Sequence, residues 1–160
     1  MTDIHPFYQA ETYRVEESVG YLINRLAQTV ARELDRRMAD LGLTDAQWKP
    51  LLMLHQGECS TAADLSRMAC HDTGAVTRLL DRLEAKGLIR RLRSAEDRRV
   101  VNLELTEAGE KIAAEVPKII IGLANQVLVG FSPDEFAQFK DLLGRALLNA
   151  RALSEADASC

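Results

Sequence analysis

After Gly87 the apolar periodicity of this chain changes from 3.6 residues to 2. Before that glycine, apolar residues recur at three- and four-residue steps, the spacing of helix faces. After it, "LIRRLR" and "VVNLEL" alternate or are rich in branched residues, and they bracket the charged tip "SAEDRR". A change of period at a glycine, followed by two short runs around a polar tip, specifies a β-hairpin entered from a helix. The tip carries Arg98 and Arg99 side by side. Arginine is costly to bury, so an exposed tip suits it.

The flanking segments read as helices. Val15, Val19, Leu22, Leu26, Val30, Leu34 and Met38 form one stripe over residues 15 to 40. "LGLT" ends that helix at Gly42, and Thr44 caps a second over about 45 to 56. Ser60 or Thr61 starts a short helix, "TAADLSRMA". Asp72 or Thr73 then caps a helix over about 73 to 86, with Val76, Leu79, Leu80 and Leu83 on its apolar side. Gly87 stands where a helix C-terminal glycine belongs. Beyond the hairpin, Thr106 caps a helix reaching about 128, and Pro117 within it predicts a kink or a split. Ser132 and Pro133 open a last helix to about 152, leaving "SEADASC" as a disordered tail. The fold class is mainly α, with one hairpin.

Charge separates the middle of the chain from its ends. The 160 residues carry a net charge of -4, yet residues 60 to 105 hold nine Lys or Arg against seven Asp or Glu. A basic patch on an acidic body is the footprint of a polyanion partner. The three cysteines, Cys59, Cys70 and Cys160, form no CxxC, so neither a disulfide framework nor a zinc site is indicated. His5, His55 and His71 are scattered, which gives no metal site. No glycine-rich phosphate loop, nucleophile elbow or paired catalytic carboxylates occur, so an enzyme and a bound cofactor are not expected. "IIIGLANQVLVGF" is too short to span a bilayer, and the polar N-terminus lacks a signal core, so no membrane partner is expected and the chain reads as cytoplasmic.

Short helix, tight turn, helix and hairpin follow one another over residues 60 to 105, the layout of a winged helix-turn-helix. In such a unit the second helix enters the DNA major groove. Its N-terminal side offers Thr73, Gly74, Ala75, Thr77 and Arg78. Gly74 and Ala75 permit close approach, while Thr77 and Arg78 suit phosphate or base edges. Thr61, Arg82 and Arg91 complete the set of expected DNA contacts. The hairpin tip is narrow enough for a minor groove, where arginine is favoured. Arg99 is the residue for insertion, with Arg98 beside it and Asp97 placed to hold its guanidinium.

"DTGAVTRLLDRLEAKGLIRR" followed by "EDRRVVNLELTEAG" resembles the MarR family of bacterial transcription regulators, as does the upstream "LGLTDAQWKPLLML". The resemblance spans roughly residues 15 to 150. It implies one MarR-like domain over 1–160, with dimerisation helices at 15–44 and 106–153 around a winged helix-turn-helix lobe at 45–105. It implies a homodimer on double-stranded DNA at a pseudo-palindromic operator, acting as a repressor of nearby genes. It further implies release by a small aromatic carboxylate or phenol. For that ligand Arg25 is placed to pair a carboxylate, Trp48 to stack on a ring beside Leu52, and His55 or Tyr21 to hydrogen-bond a ring substituent. Two other readings stay open: redox sensing through Cys59 or Cys70, and a winged helix used for protein contacts. The family's peroxide sensors carry their reactive cysteine on the first helix, where this sequence has none.

Overall fold

The computed structural model describes residues 6–69, 73–93 and 100–157. Among the described residues, six α-helices and one hairpin follow in the order α1 (Val19–Ala39), α2 (Asp45–His55), α3 (Ala62–Ala69), α4 (Thr73–Ala85), β1 (Ile89–Arg93), β2 (Val101–Leu105), α5 (Glu107–Val127) and α6 (Pro133–Asp157). One compact unit ends at Leu123, and a second begins at Ala124.

Local signals explain most of the boundaries. α1 starts later than the stripe suggests, because Val15–Glu17 forms a separate 3-10 turn. Ser18 then takes extended backbone and accepts the Tyr21 N–H at 3.3 Å, as an N-cap serine does. Val19 N–H, a second free donor of that first turn, goes to the Tyr8 hydroxyl at 2.9 Å. The start of α2 is fixed by Gln47, whose side-chain oxygen accepts the Thr44 N–H at 3.3 Å. At α6, the Ser132 hydroxyl accepts from Glu135 N–H while the Glu135 carboxylate accepts from Ser132 N–H.

Two expectations are corrected. Pro117 does not split α5, which runs unbroken from Glu107 to Val127. A proline removes one amide bond of the ladder, and a long helix with Ala113, Val116 and Leu123 buried on one side tolerates that loss. The chain also stays helical to Asp157 instead of ending near 152. "ARALSEAD" contains no glycine or proline and is rich in strong helix formers, so nothing stops the helix earlier.

The core lies in the first unit. Met38, Trp48, Leu51, Leu65, Val76, Leu80, Leu83, Ile89, Leu103, Ala113 and Val116 are buried against one another. They come from α1 to α5 and both strands, so every element of that unit contributes one face. The strands pair antiparallel with Ile89 opposite Leu105, Arg91 opposite Leu103 and Arg93 opposite Val101. β2 also meets the residues before α3: Leu103 N–H donates to Ser60 O at 2.9 Å, and Thr61 bridges Asn102. The hairpin is thereby attached to the helix-turn-helix at the start of α3.

The sharpest packing constraint sits where α4 passes into β1. Gly87 has φ of 68°, and its N–H bonds Glu84 O while Leu88 N–H bonds Leu83 O. This double closure, with a left-handed residue at the end, is the Schellman arrangement. The Thr106 hydroxyl donates to Gly87 O at 2.6 Å and accepts Gly109 N–H at 3.0 Å, and Thr106 N–H donates to Leu88 O at 3.0 Å. A Cβ added at Gly109 would lie 1.9 Å from Leu88 O. No rotamer relieves that clash, because both atoms belong to backbone or its direct attachment. Gly109→Ala is expected to destabilise the protein by about 3 kcal/mol or more, measured by urea unfolding. An unchanged midpoint would mean that α5 slides away from the corner at little cost.

Candidate nucleic-acid interface

α4 divides into two faces. Val76, Leu80 and Leu83 enter the core. Gly74, Thr77, Arg78 and Arg82 are exposed, and Ala75 is half-buried. The spacing 74, 77, 78, 82 puts the exposed four on one side of the helix. Thr73 opens α4. Arg78 and Arg82 form no ion pair among the described residues, so both charges are presented to solvent. Asp97, Arg98 and Arg99 lie outside the described residues.

Arg91 has a different position. It shares the strand face of Ile89, which is buried. Its guanidinium reaches back to α4, where it meets Asp81 and lies 3.1 Å from Glu84. Nε approaches Glu84 without hydrogen-bond alignment, so that contact is a charge pair alone. The side chain is 23% exposed. Arg91 therefore braces the hairpin against the middle of α4. Period-2 alternation from the apolar Ile89 already contained this signal. Arg90 and Arg93, which sequence reasoning passed over, are the exposed cations of the same strand.

Thr61 serves the start of α3. Its hydroxyl and N–H both donate to Asp64, at 2.8 and 3.1 Å, and the hydroxyl accepts Asp64 N–H at 3.0 Å. These bonds, first that from the Thr61 hydroxyl and then that from Ser60 N–H, hold the Asp64 carboxyl below its ordinary value. Thr61 and Thr77 also line a cavity of about 350 Å³ with Ala62, Val76, Leu80 and Val101, on the side where α3, α4 and β2 meet.

The five residues expected to hold a ligand fall into two groups. Tyr21 and Arg25 lie one turn apart on α1, half-buried and exposed respectively. Trp48, Leu52 and His55 follow one face of α2 at i, i+4 and i+7. No hydrogen bond or ion pair joins the two groups among the described residues. Trp48 is 8% exposed, and its indole N–H is buried with no hydrogen-bond partner. An orphaned buried donor costs about 1–3 kcal/mol unless something accepts from it. His55 Nδ1 lies 2.7 Å from Glu110 Oε2, which links the end of α2 to the first turn of α5.

Cys59 is 6% exposed. Burial, with smaller contributions from the Asp64 and Glu58 charges, pushes its thiol up to about 11. At neutral pH the thiol is held protonated, which works against thiolate chemistry at this position. Cys70 lies outside the described residues. Among those residues no cluster of His, Cys, Asp or Glu is arranged for a metal ion. Among the described residues no helix is long and apolar enough to cross a membrane.

The family model described as "MarR family" matches residues 43–101. The multiple antibiotic resistance protein MarR of Escherichia coli is 32% identical over 130 residues, covering 81% of this chain and 90% of that protein. A mutant E. coli MarR solved in complex with operator DNA superposes with a TM-score of 0.69 at 31% identity, covering 85% of this chain and 99% of the other. The MepR–DNA complex of S. aureus gives 0.71 at 25% identity, covering 82% and 98%. A helix-turn-helix with a braced hairpin defines a winged-helix regulator. The chain belongs to the MarR family, whose members are transcription regulators and not enzymes. The resemblance read from "EDRRVVNLELTEAG" and the mainly α winged-helix fold are both borne out.

The burial of Cys59 has a direct test. Iodoacetamide applied to the folded protein at neutral pH is expected to leave Cys59 unmodified in a site-resolved mass spectrum. Full modification is expected only in denaturant. Rapid labelling of the native protein would restore Cys59 as a candidate sensor.

Proposed function

We propose that this protein is a homodimeric transcription regulator that binds a pseudo-palindromic operator, represses nearby genes and is released by a small aromatic acid or phenol. One observation carries the DNA reading. The face of α4 bearing Gly74, Thr77, Arg78 and Arg82 is exposed, free of large side chains at its N-terminal end, and positively charged. Small residues allow backbone approach to the major-groove floor, Thr77 suits a phosphate or a thymine methyl, and Arg78 suits a phosphate or a guanine edge. The operator complex of the E. coli relative and the DNA complex of MepR support carrying this role to the present chain. Thr61 and Thr73, at the starts of the two helices, fit backbone contacts. Asp97, Arg98 and Arg99 keep their proposed place at the wing tip, with Arg99 in the minor groove. Arg91 acts through the wing's orientation.

Dimerisation accounts for apolar surface that one chain leaves bare. Val15, Val19, Leu22, Ile23 and Leu26 are exposed along the first helical stripe, as are Leu142, Leu147, Leu148 and Leu153 along α6. Burying such faces against a second copy recovers roughly 25 cal/mol per Å² of apolar surface. A two-fold dimer presents two reading helices about one DNA turn, roughly 34 Å, apart, and repression follows from occupying a promoter. The unpartnered Trp48 indole N–H supports the effector reading, since a ligand oxygen would satisfy it. Arg25 supplies the carboxylate partner, and Tyr21, Leu52 and His55 complete the pocket.

Fluorescence anisotropy against duplexes tiled across the gene's upstream region tests the reading. One duplex is expected to bind tightly, losing affinity by orders of magnitude as salt rises from about 50 to 200 mM. Arg78→Ala is expected to cost about 1–3 kcal/mol. Weak, salt-insensitive binding to every duplex would favour a winged helix that contacts protein. For the effector, Arg25→Ala is expected to abolish release by benzoates while DNA binding stays intact. Normal release would move the pocket elsewhere.

A further inference from the structure

Lys86 directly follows Ala85, the last residue of α4. Its Nζ donates to Gly42 O at 2.6 Å and to Gln47 Oε1 at 2.8 Å. Gly42 is the left-handed turn that ends α1, with φ of 69°. Gln47 is 5% exposed in the first turn of α2, and the same oxygen accepts Thr44 N–H. A buried amide held from two sides cannot swing away. One ammonium therefore fastens the end of α4 to the corner between α1 and α2. A cation at the C-terminal end of α4 is also favoured by the helix dipole. From the other side, Gly87 O and Leu88 O are held by Thr106. The end of α4 is fixed by α1 and α2 on one side and by α5 on the other.

We infer that Lys86 is a positioning residue for operator reading: its bonds to Gly42 and Gln47 set the bearing of α4 relative to α1, and with it the half-site spacing that the dimer accepts. The inference rests on the operator-binding dimer proposed above. If two copies join through the bare stripe of α1, the rotation and distance between their α4 helices depend on how each α4 is held to its own α1. One added base pair shifts a half-site by about 3.4 Å and turns it by about 34–36°. A clamped reading helix rejects that shift, whereas a loosened one follows it. Lys86 needs no contact with DNA to have this effect.

The probe is a duplex selected by the wild-type full-length protein from a random-sequence library. It is rebuilt with one base pair added or removed between its half-sites. Wild-type affinity is expected to fall roughly tenfold or more with either change, since both half-sites are then not read together. Lys86→Met, which keeps the stem and removes the charge and donors, is expected to compress that preference to less than about threefold across the three spacers while the thermal midpoint hardly moves. Lys86→Arg keeps charge and donors and is expected to retain most of the preference. A Lys86→Met protein with the wild-type spacing preference overturns the assignment. So does a loss of affinity by one common factor on all three duplexes, which is what a merely structural role produces. If the wild-type protein selects no duplex at all, operator binding itself fails, and the assignment falls with it.

Discussion

Two carbonyl oxygens, those of Gly87 and Leu88, hold this winged helix together. Gly87 O receives the Thr106 hydroxyl and Leu88 O receives the Thr106 N–H. Around them, α4 closes, the hairpin begins and α5 starts. Each hydrogen bond contributes only about 1 kcal/mol net. Their geometric effect is larger, because three elements share one point and none can turn without the others. The contact exists only because Gly109 has no side chain there. The glycine of "LTEAG" is thus a packing requirement, visible in the sequence as a residue and intelligible only against the Leu88 carbonyl.

The charge pattern resolves in a similar way. A basic middle on an acidic chain looks uniform in a count, but its members do different work. Arg91 is taken up by Asp81 and Glu84, and Arg67 by Asp64. These pairs sit at the edges of α3 and α4, where exposed ion pairs contribute little to stability. Their consequence is local electrostatics: Arg91 offsets part of the negative charge of Asp81 and Glu84, while Arg78 and Arg82 enter no ion pair among the described residues. The net charge of -4 is therefore no obstacle to a polyanion at this surface.

Much of this was legible in sequence because the signals were local. Thr44, Thr106 and Ser132 mark helix starts through their own side-chain chemistry, and Gly42 and Gly87 mark ends through backbone freedom. The change of period at Gly87 placed the hairpin. What escaped depends on tertiary partners. Pro117 sits inside a helix that continues through it, because packing outweighs one missing amide. Arg91 shares the strand face of Ile89, and its acidic partners Asp81 and Glu84 stand on α4, a pairing that only the folded chain brings together. The partners of Lys86 lie 44 and 39 residues away, beyond the reach of any local pattern. Nothing in the spacing joined Tyr21 and Arg25 to the Trp48 face of α2, and that pairing still rests on family resemblance.

The bare leucines of α1 and α6 carry a thermodynamic consequence beyond any interface they form. A species that binds folded chains and not unfolded ones raises stability by mass action. If that species is the chain itself, folding becomes a function of dosage. At scarce expression the dilute chain is left with unburied apolar helix faces and stands closer to degradation. At higher abundance it protects itself. A cell that needs only a few copies of such a regulator would then have a floor on supply set by the protein's own surface, below which the chain is cleared before it can act.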